Sequence, residues 1–395
     1  MPAVGAAFAA FGFFWGSWAV AAADVKATLH LGTAGFGAFW SAALVGAAVG
    51  NAAGGVLTER WGGRRLLSTT LAVWALTVAA TAVVPGRWAL AATLGAGLMA
   101  GGLLDVAMNV VATAAFANRP GGLVRFHGLF NVGAAFGAAL TGLAIAGHHG
   151  WRLVWLAVAP LDLGIAWLAQ RSDIPVAAAG GRLPLTRAIS VLREERLVPL
   201  ATVFALGAMV EGGIELWGVL YLRTRLASGL LVGASGAVAG YLVAASTRFI
   251  AGPRAGAAGA PFGIALGAGV AAGGATLMAL STSPAAAACG LALAAGGVSL
   301  CWPLLMSLAG AGRRRPGAAV GSVSAVGYLG IVLGPALVGW VATAGGMRSG
   351  LGFIAAASLL VALSPLVPSI GRRGVTASSP GSSLMPSPSP GPERS

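Results

Sequence analysis

The sequence predicts an all-α membrane protein: twelve transmembrane helices arranged as two pseudo-symmetric six-helix bundles. Three observations lead there. Hydrophobic residues make up 57% of the 395 and charged residues only 9%, more apolar sequence than a soluble core can hide. The apolar residues fall into twelve runs, each close to the ~20 residues a helix needs to cross a bilayer. The arginines concentrate in alternate gaps between those runs.

The runs are 4–23, 33–57, 66–84, 88–113, 126–147, 151–170, 198–222, 230–250, 260–280, 284–309, 318–344 and 349–369. Asp24 is the first charged residue, so span 1 lacks the basic region of a secretory signal. Ala21-Ala22-Ala23 is similar to a cleavage site, but the preceding run is too long for a signal core, and 4–23 is read as a retained span. Spans 2 and 3 meet at a polar hinge, Gly55–Arg65, with four of its eleven residues charged. Span 5 carries Gly133, Gly137 and Gly142, and span 11 carries Gly327, Gly330, Gly334 and Gly339 with Pro335. Small residues at such spacing let helix backbones approach closely in lipid, and their corresponding places point to duplicated halves. Cys289 and Cys301 share span 10 at roughly 18 Å, too far apart for a disulfide.

Between spans 6 and 7 the segment 171–197 carries Arg171, Asp173, Pro175, Gly180, Gly181 and Pro184. A surface helix follows from Leu185 to Arg196, with Leu185, Ile189 and Leu192 on one face, a pattern that suits the membrane interface. The expected division is a first bundle over 1–170, a linker over 171–197, a second bundle over 198–370 and a Ser/Pro/Gly-rich disordered tail over 371–395.

Charge tests the count. The chain has a formal charge of +14 and a mean hydropathy of +0.86. With the start of the chain inside, 18 Lys/Arg fall on the cytoplasmic side and 6 outside, an asymmetry that an error of one span would scramble. Basic residues placed this way serve topology, not nucleic acid. One lysine against many arginines, with abundant alanine, points to a GC-rich bacterial genome. The expected location is therefore the bacterial plasma membrane, multi-pass, with both termini cytoplasmic.

The hinge Gly55-Val-Leu-Thr-Glu-Arg-Trp-Gly-Gly-Arg-Arg65 resembles the loop between the second and third helices of the major facilitator superfamily. Other strings are similar to its fucose-permease-like branch of bacterial inner-membrane transporters. They are Phe13-Phe14-Trp15-Gly16 with Trp18, Asp105-Val-Ala-Met-Asn109, and His127-Gly-Leu-Phe130 with Gly133. Glu211-Gly-Gly-Ile-Glu-Leu-Trp217 with Tyr221, and Gly327-Tyr-Leu-Gly330 with Gly334-Pro335, complete the set. The resemblance implies two bundles rocking about a midplane cavity lined by spans 1, 4, 7 and 10. It implies that Gly55, Glu59, Arg60, Gly62, Arg64 and Arg65 govern closure of the inner gate.

Departures from the pattern bear on cargo. Glu59 stands where aspartate is usual, Ala21 and Ala23 where relatives tend to show arginine and proline, and Phe116 where a glutamate is common. Where those groups hold substrate or protons in relatives, the resemblance implies a different substrate or coupling here. Gly133 to Gly147 contains no proline, which counts against drug-efflux antiport.

Of ten acids, only Asp105, Asp162, Glu211 and Glu215 lie within apolar spans. An ionised carboxylate at the bilayer centre costs roughly 2.5–3.5 kcal/mol on insertion scales, so each is a functional candidate. Glu211 sits about 20 Å into span 7, near midplane, with Glu215 one turn on and Gly212 and Gly213 loosening the helix between them. It is read as a proton or substrate carboxylate, against a structural hydrogen-bond partner. Asp105 and Asn109, one turn apart in span 4, either bind polar substrate or close an inner gate, or else pair with Arg248 or Arg125. His127 either relays protons or is simply solvated. Asp162, after Pro160, reads as structural. Trp15, Trp18, Trp217 and Tyr221 form either an aromatic wall for a sugar-like solute or ordinary packing, while Trp88, Trp151 and Trp340 read as interface anchors.

No nucleotide-binding loop, His-Glu-x-x-His string or G-x-S-x-G elbow is present in the sequence, so neither an enzyme nor a cofactor or metal site is expected. The leading expectation is a symporter: proton-coupled secondary transport of a small sugar-like or other polar metabolite by alternating access. The alternatives are an efflux antiporter for a drug or metabolite, and a non-transporting membrane sensor. Expected partners are a small-molecule substrate, protons and the lipid bilayer, with no nucleic acid, and the chain is expected to be a monomer.

Overall fold

A computed structural model describes residues 2–115, 120–174, 185–225, 229–251, 254, 259–311, 313, 316–368 and 370–371. Its helices give twelve spans long and apolar enough to cross a membrane. Among the described residues there is no strand. Spans 1 to 6 are Pro2–Thr28, Thr33–Trp61, Gly63–Val83, Arg87–Ala115, Pro120–Ala146 and Gly150–Arg171. A short helix, Leu185–Glu194, precedes span 7, which runs Val198–Gly213, through a π turn at Ile214–Gly218, to Val219–Arg225. Span 8 is Gly229–Ser246 followed by a second π turn, Thr247–Ala251. Span 9 is Ala260–Leu280, span 10 is Pro284–Val298 and Cys301–Gly310, span 11 is Pro316–Gly345, and span 12 is Met347–Ala362. Most spans are apolar on every side, as expected of helices with protein on one flank and lipid on the other.

Helix pairing shows the duplication. Span 1 packs on 5, 2 on 4, 3 on 4 and 6; six spans later, 7 packs on 11, 8 on 10, and 9 on 10 and 12. Two long seams join the bundles, span 2 against 11 and span 5 against 8, and these are symmetry counterparts. Within the first bundle, spans 1 and 5 touch backbone to backbone. A Cβ on Gly12 would strike the Phe130 carbonyl, and one on Gly133 would strike that of Ala9. In the second bundle, Gly330 meets the Ala205 carbonyl in the same way. Only glycine permits such contact.

The 55–65 segment differs from the loop that its polarity predicts. Helix continues through Trp61, Gly62 alone breaks it at φ +76°, and span 3 starts at Gly63. The left-handed backbone at Gly62 turns the chain in one residue, so the hinge is a corner between two helices. Arg60, Arg64 and Arg65 are exposed there, and the Arg65 guanidinium lies 5.9 Å from the Trp61 ring centre. The burial of Gly55 and the side chain of Glu59 lie outside what is described. So do residues 175–184 of the linker and 372–395, where the disordered tail is expected.

Of the three anchor tryptophans, Trp88 and Trp340 project outward at 76% and 69% exposure. Trp151 instead is buried and packs edge-on to Trp155 at 4.6 Å. Trp155 in turn packs on Phe14 and Trp18 of span 1, so packing claims Trp151.

Below, the membrane face carrying Arg64 is the Arg64 face, and the opposite one is the Lys26 face.

Candidate functional site

The charged centre of the molecule is Arg248. It sits in the π turn that ends span 8 and is buried, 7% exposed. Its guanidinium reaches three other spans. Nε donates to the Ser299 carbonyl of span 10 at 3.2 Å, and Nη2 donates to Glu211 Oε1 of span 7 at 3.1 Å. Nη1 donates to Asn131 Oδ1 of span 5, across the seam between the bundles. Breaking a fully buried ion pair typically costs about 3–5 kcal/mol, and with the Glu211 side chain 25% exposed the cost here falls below that range. Both π turns, one beside Arg248 and one beside Glu211 and Glu215, lie at this cluster, and such local widenings often mark functional sites.

Beside the cluster lies a small cavity of about 30 Å³. Asn131, Glu211, Glu215, Tyr241 and Ser299 supply its polar lining, and Ile214, Leu291 and Val298 are among its apolar residues. Spans 5, 7, 8 and 10 thus wall it. The resemblance put spans 1, 4, 7 and 10 there; in this conformation 7 and 10 line the cavity and 1 and 4 do not. Glu211 and Glu215 share the cavity, as their spacing predicts. His127 lies edge-on to Phe8 at 5.1 Å and within electrostatic reach of Arg248.

Asp105 and Asn109 form a separate cluster nearer the Arg64 face. Asn109 Nδ2 donates to Asp105 Oδ1 at 2.8 Å. Tyr328 Oη of span 11 donates to Asp105 Oδ2 at 2.5 Å, and Asn51 Nδ2 of span 2 donates to Tyr328 Oη at 2.6 Å. Asp105 therefore pairs with a phenol and two amides, and not with Arg248, which Glu211 and Asn131 engage. The network ties the first bundle to the second across the seam of spans 2 and 11.

At the Lys26 face, Arg223 Nη1 donates to Asp24 Oδ2 at 2.7 Å and to the Val20 carbonyl, tying span 7 to span 1. Nearby, Ser41 Oγ accepts from the Ala336 amide at 3.0 Å, beside the proline that interrupts span 11. Polar bonds thus join the bundles toward both faces, with the cavity between them.

The aromatic candidates are packed together and lie off the cavity. Trp18 stacks on Trp40 at 3.8 Å, with Trp15 edge-on to the same ring at 6.0 Å. Trp217 and Tyr221 are buried, and the Trp217 ring occupies the space left by Gly37 and Gly339. Asp162 is buried in span 6 with no hydrogen-bond partner on Oδ1 among the described residues. Among the described residues, no three His, Cys, Asp or Glu side chains are grouped to hold a metal ion.

Sequence reasoning named Arg248 only as a possible partner of Asp105, and missed Asn131, Tyr241, Asn51 and the Asp24–Arg223 pair. Arg248 carried a usable signal, since an arginine within an apolar run is as costly as an acid. Counting it among the cytoplasmic loop charges hid it. Removing it changes the loop count from 18 against 6 to 17 against 6, so the asymmetry persists.

The sequence profile of the Major Facilitator Superfamily matches residues 3–313. No curated protein resembles the chain closely enough in sequence to count as a match. Among solved structures, the chain is similar to the human organic anion transporter MFSD10 (TETRAN), with a TM-score of 0.71 and 16% identity, covering 91% of this chain and 98% of that one. It is similar to the nucleoside transporter NupG, with a TM-score of 0.67 and 14% identity over 92% and 97% of the two chains. It is also similar to the E. coli fucose:proton symporter FucP, with a TM-score of 0.61 and 17% identity over 90% and 97%. At these identities the structures speak for the fold, while the profile covers most of the sequence. Twelve spans in two duplicated bundles, a polar cluster enclosed between them, and the profile match together establish that this chain is a solute transporter belonging to the Major Facilitator Superfamily.

Proposed function

We propose that the chain couples proton movement to the transport of a small polar solute by alternating access. The observation that carries this reading is the Glu211–Arg248–Asn131 cluster, whose Glu211 and Asn131 line the cavity and whose bonds span the seam between the bundles. A proton on Glu211 removes half of the ion pair and frees the guanidinium to change partners. Arg248 binds Asn131 of the other bundle, so the exchange acts on the seam directly. Protonation thereby becomes a conformational signal. The similarity to a fucose:proton symporter is in keeping with proton coupling. The named cargoes of the three similar structures differ, so cargo is argued from this chain's own cavity.

In this reading the Arg64 face and both termini are cytoplasmic in a bacterial plasma membrane, an orientation that the arginine asymmetry supports. The two clusters then act as gates. Asp105, Asn109, Asn51 and Tyr328 close the inner side, together with the corner at Gly62, while Asp24 and Arg223 close the outer side.

Proteoliposomes with an imposed pH gradient test the coupling. Glu211→Gln should lose accumulation driven by the gradient yet keep counterflow exchange of the same solute, because exchange needs no net proton movement. A folded Glu211→Gln variant with unaltered gradient-driven uptake would overturn the assignment.

A further inference from the structure

Two polar groups in the cavity are left without partners by the cluster at Arg248. Glu215 lines the cavity one turn beyond Glu211, and no hydrogen bond or ion pair reaches it among the described residues. Tyr241 lines the same cavity from span 8, is 7% exposed, and its buried hydroxyl has no hydrogen-bond partner among the described residues. A buried polar group left unmade costs about 1–3 kcal/mol, so the Tyr241 hydroxyl awaits a partner, and the half-buried Glu215 carboxylate beside it offers a charge that no side chain among the described residues engages.

Charge specifies the ligand. The ionisable groups facing Glu215 are Glu211 on its own span, and Arg248 and Tyr241 from span 8. Cys301 of span 10 faces Glu211, and His127 of span 5 faces Arg248. Arg248 is the one cation in this set and is already held by Glu211, Asn131 and the Ser299 carbonyl. Glu215 is therefore the uncompensated charge. Two species neutralise it: a proton, or a monocation from outside.

From this we infer that the transported solute carries a protonated amine, seated with its ammonium on the Glu215 carboxylate and against the Tyr241 hydroxyl. An ammonium offers three donors, enough for the carboxylate and the phenol oxygen together. The phenol's own O–H then points to an acceptor on the solute, so an amine with a neighbouring hydroxyl fits best. Solute and proton compete for Glu215, so acidification weakens binding. The inference rests on the transport reading above but not on Glu211, whose role is coupling.

Matched pairs test it, each differing only in amine against hydroxyl: glucosamine and glucose, ethanolamine and ethylene glycol, 2-phenylethylamine and 2-phenylethanol. Binding is read by tryptophan fluorescence of purified protein at two pH values, and proton movement by an internal pH dye in proteoliposomes. At least one amine should bind tenfold or more tightly than its hydroxyl partner, and less tightly at lower pH. Glu215→Gln should abolish that preference, and Tyr241→Phe should reduce it severalfold while the protein stays folded. Equal binding within every pair, or a preference that survives Glu215→Gln, overturns the inference. If hydroxyl solutes alone drive Glu211-dependent proton movement, the transport reading stands and the amine assignment falls. If no solute moves protons, the coupling reading falls, while amine binding at Glu215 is still judged by fluorescence.

Discussion

Arg223→Ala should open the Lys26 face. The Arg223 guanidinium bonds Asp24 and the Val20 carbonyl, so both contacts run from span 7 to span 1. They can exist only while that end of the two bundles is closed. A charge-assisted hydrogen bond contributes about 1.5–3 kcal/mol when buried. The side chains here are 11% and 35% exposed, so screening argues for the lower end of that range. Each 1.4 kcal/mol is worth about tenfold in an equilibrium, so the open population should rise about tenfold. Val219 is a suitable reporter, because it lines the cavity and is 2% exposed in the closed state. In a background with Cys289 and Cys301 replaced by alanine, Val219→Cys is exposed to a membrane-impermeant maleimide from the Lys26 face. Arg223→Ala should speed labelling about tenfold, and Asp24→Asn by a smaller factor, since its amide still accepts a bond. Equal labelling rates in variants with matching thermal unfolding would refute the reasoning.

Tyr328→Phe removes a hydroxyl that bonds both Asp105 and Asn51, about 1–3 kcal/mol for two bonds, and should widen the Arg64 face. Spin labels on exposed Arg60 and Ala311 would report the wider distance; an unchanged distribution counts against the gate. Gly133→Val drives a side chain into the Ala9 carbonyl, and overpacking of about 1–3 kcal/mol should lower the thermal midpoint by several degrees. Gly95→Ala, with nothing within 4 Å of its added carbon, should leave the midpoint unchanged or raise it, by up to about 1 kcal/mol of helix propensity. Similar midpoints for these two variants would show that the seam of spans 1 and 5 does not need its glycines.

The span count was legible in the sequence because hydropathy is a one-dimensional signal, carried in order along the chain. Each run of about 20 apolar residues maps onto one span regardless of its neighbours. Glu211 and Glu215 were legible for a related reason: an acid in an apolar run is conspicuous wherever the helix packs. Partners were not. Asn131 reads as a polar residue beside a glycine run until span 8 brings Arg248 against it. Tyr328 stands inside Gly327-Tyr-Leu-Gly330, a string chosen for its glycines, yet its phenol is what reaches Asp105 and Asn51. The hinge misled in the other direction. Its four charges suggested a loop, but helix tolerates charged residues at a membrane boundary, and one positive φ at Gly62 is all the turn requires.

The glycine contacts of spans 1 and 5, and of 7 and 11, also decide where this molecule is stiff. Backbones touching without intervening side chains have no rotamers to absorb a displacement, so each bundle resists shear along those seams. The seams between bundles contain side-chain contacts that can swap, such as Phe249 over Gly128 and Arg248 on Asn131. Gly37 against the Pro335 carbonyl is a backbone contact between spans 2 and 11, so compliance is greatest along the seam of spans 5 and 8. A perturbation of a few kilocalories at either face is transmitted across the thickness of the membrane as rotation of a solid body, instead of being dissipated as local bending.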